Sequence, residues 1–186
     1  MATTTSTPAI TTTWKLDPAH SQAEFKVRHM MISNVKGAFH GGLSGTLTEH
    51  ATDATLSSVE ASIDISTIST GDAQRDAHLK SADFFDVAKY PAMAFKSTRV
   101  RPDGDGGYKV TGDLTLHGVT RQQTFAVEGP TPPAKDPWGN TRIGLSATAK
   151  INRKDFGLNW NAALEAGGIL VGDDVSITLE VEFIKA

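Results

Sequence analysis

The run DVSITLEVEFIK, residues 174–185, alternates without a break. Val175, Ile177, Leu179, Val181 and Phe183 fall on one face, and Ser176, Thr178, Glu180 and Glu182 on the other. A period of two sustained this long excludes a helix and dictates a half-buried antiparallel strand. The pattern recurs in SQAEFKVRH (21–29), where Ala23, Phe25, Val27 and His29 share a face, and in NTRIGLSATAKI (140–151), which aligns Ile143, Leu145, Ala147, Ala149 and Ile151.

Residues 35–47, 56–65, 92–100, 108–116 and 121–129 follow the same rule. With TWKLD near the start they give eight or nine strands. The turns RPDGDGG and HGVT separate three of them as hairpins. Several runs span 9–13 residues, against a usual ~5–6. Strands this long, tilted by ~40°, build a wall roughly 30 Å tall. The expected fold is all-β: an extended eight-stranded antiparallel barrel, whose closure removes exposed edges. Glycines 37, 41, 42 and 45 suit a strand bent at a barrel corner. Residues 1–12 read as a flexible arm and 13–186 as one domain.

Alternation aims Phe25, Val27, Phe39, Phe95 and Phe125 inward, together with Leu114, Leu116, Ile143, Leu145 and Ile177. Many other inward positions are Gly, Ala, Ser or Thr. A tall barrel lined in part by small residues leaves a channel, and a narrow apolar channel suits a long chain-like molecule. Residues 71–90 break the pattern and predict a short helical insertion that caps one mouth. Phe84, Phe85 and Tyr90 then point into the opening. Met30 and Met31, at a strand end, form an adaptable apolar surface. Arg75 and His78 share a helix face. They either gate a head group or fix the helix to the rim. Trp160 either seats the C-terminal loop or closes the second mouth.

Composition narrows the chemistry. The chain has no cysteine and a formal net charge of −3. Disulfides, cysteine-ligated metals and thiol nucleophiles are therefore excluded, and no basic stripe invites nucleic acid. The histidines form no close ligand pair, although a metal site assembled from distant strands stays open. His50 falls in a polar loop and reads as solvated. No serine sits in a nucleophile elbow. No apolar run approaches the ~18 residues of a membrane span. The start MATTTSTPAITTTWKLD has neither a basic region nor an apolar run, so a cytoplasmic location is expected.

The motifs WKLDPAHSQAEFKVRHMMISNVKGAF (14–39), GDAQRDAHLKSADFFDVAKYPAMAFKS (71–97), GDLTLHGVTR (112–121) and INRKDFGLNW (151–160) resemble the YceI-like polyisoprenoid-binding family. The likeness covers roughly residues 14–185. Its pattern falls on Asp17, His20, Phe25 and His29; on Arg75, His78, Phe84, Phe85, Tyr90 and Pro91; on Gly118 and Thr120; and on Asp155, Phe156 and Gly157. The resemblance implies a lipocalin-like barrel that binds a long-chain isoprenoid lipid, such as a quinone or a polyprenyl phosphate, without catalysis or cofactor. It further implies a homodimer, and relatives exported to the periplasm. Transient contact with a membrane is compatible with such a carrier. The competing reading is an enzyme acting on an isoprenoid or other lipid, with His78, Asp76 or His29 as acid or base.

Overall fold

The computed structural model describes residues 10–165 and 167–186. In chain order the elements are β1 (Thr11–Leu16), β2 (Gln22–His29), β3 (Ser33–Phe39), β4 (Leu43–His50), β5 (Ser58–Asp64) and β6 (Ile68–Ser69). There follow α1 (Ala73–Lys80), β7 (Ala92–Pro102), β8 (Tyr108–Leu116), β9 (Val119–Glu128), β10 (Ala134–Lys135), β11 (Thr141–Asn152) and β12 (Val171–Lys185). The expected arm ends earlier than read. Thr11 and Thr12 already pair with His50 and Glu49 in β4, and residues 1–9 lie outside the described residues.

Antiparallel neighbours β4–β5–β7–β8–β9–β11–β12–β1 close on β4, so eight strands form a barrel. β2, β3 and β6 continue β1, β4 and β5 past short breaks. β12 therefore pairs with β1 near its C-terminus and with β2 along its N-terminal half. The sequence read residues 35–47 as one bent strand. The bend is a full break at residues 40–42, between β3 and β4.

At one end of the barrel lie the β2–β3 hairpin tip, the segment 70–91, the turn at His117-Gly118 and residues 153–170. At the other lie residues 51–57, the β7–β8 turn and the loop 129–140. Among the described residues no pairing joins β6 to β7, so the wall parts there. α1 and the turns behind it follow β6 at this end of the barrel, where the insertion was expected to cap a mouth. Asp72 caps the helix by accepting from the Arg75 amide at 2.9 Å.

Two apolar cores follow from the inward faces. The larger joins Phe39, Leu43, Ile65, Leu114, Leu116 and Phe156 under the insertion. The smaller joins Trp14, Ile143 and Phe183 on the β1–β11–β12 side of the opposite end. On the outer surface beside this second core, Arg142 clasps the seam. It donates to Asp17 at 2.6 Å, to Asp136 at 2.7 Å and to Glu182 at 3.2 Å. The Arg142–Asp17 bond, with a second to His20, holds the Asp17 carboxyl down at about 2 against an ordinary 3.8. The same arginine depresses Asp136 further.

Two predictions follow. A carboxylate with a lowered folded pKa supplies stability in full above its unfolded value, and that stability is lost as pH falls through the folded value. The Tm gap between the parent protein and Arg142→Gln is therefore widest near neutral pH. It narrows from about pH 4 to about pH 2, as thermal melts across that window will show. Phe156 is 2% exposed inside the larger core. Phe156→Ala is expected to cost ~3–5 kcal/mol in denaturant unfolding with little change in m.

Candidate functional site

The bore between the two cores is hollow. It holds a cavity of about 580 Å³, within the range of known ligand pockets. Its wall is aromatic and aliphatic, as alternation requires. Phe25, Val27, Phe39, Phe95 and Phe125 face it, as do Leu114, Leu116, Leu145 and Ile177. Rings pack in pairs along the wall: Phe25 with Phe39 at 5.9 Å and Phe95 with Phe125 at 5.2 Å. Ala23, Ala61 and Ala147 also line it, and their short side chains leave the space that longer ones would fill. Gly37 has a local reason: a Cβ there would collide with the Phe25 ring.

The insertion closes one end of this channel. Phe84 and Phe85 both line it, with Leu79 beside them. Phe84 is 8% exposed, so the paired phenylalanines are neither solvent-facing nor buried wholly in protein. They form the blind end of the cavity.

Seven residues expected at the ligand do not line the channel. Met30 and Met31 form the exposed tip of the β2–β3 hairpin, 39% and 57% accessible. Both adopt a left-handed backbone, φ 50° and 62°, which turns them away from the barrel. Arg75 folds back on Thr70, with Nε 2.7 Å from its Oγ1 and Nη2 3.0 Å from its carbonyl. His78 pairs with Asp83 at 2.9 Å and packs edge-on against Trp160 at 4.7 Å. Trp160 also meets Phe84 at 5.1 Å, so it seats the C-terminal loop against the insertion from outside. Tyr90 packs edge-on against His117 at 4.8 Å, over Gly118, where a Cβ would strike its ring. Ile143 points inward but is used up against Trp14 and Phe183. Arg75 and His78 therefore fix the helix, the second of the two readings above.

Sequence reasoning missed two features. The first is Arg153, which borders the blind end of the cavity and is 4% exposed. Its Nη1 donates to the Leu158 and Trp160 carbonyls at 2.6 and 2.8 Å. Its Nε donates to Gly172 at 2.9 Å, and Nη2 reaches Val171 and Asp173 at 3.3 and 3.4 Å. Burial pushes its pKa down, opposed by Asp173. All five N–H groups have partners, so Arg153 ties the loop 158–173 shut and has no donor left for a ligand. No local pattern signals this, because Arg153 sits in the turn after β11 and its acceptors lie between Leu158 and Asp173.

The second is the open mouth. It lies at the end opposite the insertion, between residues 49–58 and Tyr108, Gly129 and Pro130. His50, read as a solvated loop residue, stands on its rim. Its Nδ1 accepts from the Asp53 amide at 3.2 Å. Glu49 is anchored from inside the barrel, accepting from Trp14 Nε1 at 2.8 Å. Among the described residues no buried side-chain nitrogen or oxygen lacks a partner. The channel is lined mainly by apolar side chains, with Glu24, Ser62 and Arg153 among the few polar residues away from the mouth.

Several groups that could do chemistry are otherwise engaged. Asp76 accepts from the Thr70 amide and hydroxyl at 2.8 and 2.6 Å. Ser57 Oγ bonds the backbone amide of His50, not its ring. Asp17, His20 and Glu182 present ligand atoms within 4.8 Å of one another, but the Arg142 guanidinium already sits on two of the three.

The YceI-like domain family matches residues 14–183. A UPF0312 protein of Staphylococcus aureus strain N315 is 36% identical over 176 residues, 92% of this chain and 97% of its own length. The YceI protein of Campylobacter jejuni is 31% identical, with a TM-score of 0.70 over 87% of this chain and 91% of that one. BcnA of Burkholderia cenocepacia shares the fold at 24% identity and a TM-score of 0.74, over 90% and 98% of the two chains. A domain of Saccharophagus degradans described as polyisoprenoid-binding does so at 18% and 0.64, over 93% and 98%. Motifs, barrel and insertion agree with these likenesses, and the chain belongs to the YceI-like family.

Proposed function

We propose that this protein binds, and thereby stores or transports, a long-chain isoprenoid lipid in the barrel channel, with no chemistry of its own. The observation that carries the reading is the apolar, blind-ended cavity of about 580 Å³ running from Phe84 and Phe85 to the 49–58 mouth. Membership of the YceI-like family supports it, as does the shared fold of the polyisoprenoid-binding domain from Saccharophagus degradans. Every 100 Å² of tail surface removed from water is worth ~2.5 kcal/mol. Ordering the tail offsets part of this gain. A flexible branched chain matches a bore with few polar contacts better than a compact polar molecule does.

Catalysis on the lipid is the weaker reading. His78 and Asp76 stand outside the channel, and Ser57 does not meet an imidazole. The dimeric state, and passing contact with a membrane during lipid exchange, belong to the proposal. Sedimentation and vesicle co-flotation read them directly.

Organic extraction of untreated protein, followed by mass spectrometry, is expected to release a lipid with an isoprenoid fragmentation pattern. Protein that comes out empty from several expression hosts overturns the proposal. Ala147→Phe places a ring in the bore. It should retain the β-sheet circular dichroism spectrum and lose lipid uptake by tenfold or more. Phe95 is half-buried and already borders empty space, so Phe95→Ala should cost less stability than the ~3–5 kcal/mol of a filled core site.

A further inference from the structure

We infer that the 49–58 mouth selects isoprenoid lipids with a neutral polar head and discriminates against phosphorylated ones. This rests on the carrier reading above and assigns the head-group end of the same site. The argument begins with direction. The blind end is apolar, and its one cation, Arg153, spends every donor on four carbonyls and the Asp173 carboxylate. The tail must therefore enter first and the head must stay at the mouth.

The mouth carries the wrong charge for an anion. Glu49 and Asp53 line it. The Thr55 hydroxyl and amide hold the Asp53 carboxyl below its ordinary range, so it stays ionised at neutral pH. The Glu49 carboxylate is fixed by the Trp14 indole. Strand register removes the nearby cations. Val100, Tyr108 and Val110 face the channel, and the alternate positions Arg99, Arg101 and Lys109 are exposed on the outer wall. Among the described residues Arg153 is the only lysine or arginine lining the cavity.

What the mouth does offer is neutral. Thr52, Ser57 and Ser58 bring hydroxyls. The His50 ring accepts at Nδ1, which puts the proton of the neutral imidazole on Nε2. These groups hydrogen-bond a hydroxyl or a carbonyl head. A phosphate would sit beside two carboxylates with no cation to balance it.

The test uses lipid-stripped full-length protein and two probes of equal chain length, a polyprenol and its monophosphate, titrated by intrinsic tryptophan fluorescence at low salt. The polyprenol is expected to bind on the order of tenfold more tightly. Asp53→Asn, Glu49→Gln and, most directly, Ala51→Lys, at an exposed mouth residue with no polar side chain, should each close that gap by strengthening phosphate binding, with polyprenol binding and Tm little changed. Equal or tighter binding of the monophosphate to the parent protein overturns this inference and leaves the carrier reading standing. Failure of both probes to bind overturns both.

Discussion

Closing eight strands into a ring fixes the width of a barrel, and the side chains aimed into it decide whether that width stays empty. Here both outcomes occur along one axis. Near the β1–β11–β12 seam, Trp14, Ile143 and Phe183 meet and fill the bore. Under the insertion, Ile65, Phe156 and Leu158 do the same. Between them Ala23, Ala61 and Ala147 stand where larger residues would have to reach across, and the cavity is what they leave. The site is therefore a consequence of residue size on an otherwise regular inward face. It needs no special loop or strained residue to create it.

The two arginines with the most partners show how one side chain can serve opposite environments. Arg142 lies on the outside, paired with carboxylates on β12 and on the segments after β1 and β10. Its partners are charged, so its contribution depends on pH. Arg153 lies inside and is held almost wholly by carbonyls. A guanidinium suits that task because its planar fork can satisfy several carbonyls at once, which the compact ammonium of a lysine cannot. One fastens the barrel seam and the other fastens the loop that seals the blind end. Arg153 is left with no donor for a ligand.

Much of this was legible in the sequence. The register of Phe25, Phe95, Phe125 and Ile177 follows from a period of two, because pleat geometry admits no other assignment once one face is buried. The insertion at 71–90 was legible because it breaks that period. Three things were not. The break between β3 and β4 depends on how far a strand can bend before its pairing fails, and the alternation continues through it. The partners of Arg153 come from the loop residues Leu158 and Trp160 and from the start of β12, ahead of the strand's clear alternation. The mouth at 49–58 reads as a polar connection, and only the closed ring shows which connections face the bore. The Arg75–His78 pair left two readings open for a related reason. Residues on one helix face are neighbours, but the helix itself is turned, with Arg75 spent on Thr70.

The ends of the channel differ in a way that bears on how a ligand travels. The insertion end is locked by interlaced aromatic contacts: Trp160 against His78 and Phe84, and Tyr90 against His117. Arg153 and the Ile65–Pro91 backbone hydrogen bond at 2.9 Å brace the same region. Opening that end would expose Phe84 and Phe85 and strand several buried carbonyls, a cost of several kcal/mol by any accounting of lost burial and unmet hydrogen bonds. The mouth at 49–58 is already open and is bordered by a short polar loop. Entry and exit through the mouth require no rearrangement of the core. On the proposed carrier reading, a tail would lie with its tip against the two phenylalanines and its head at the loop, and the same opening would serve for loading and release.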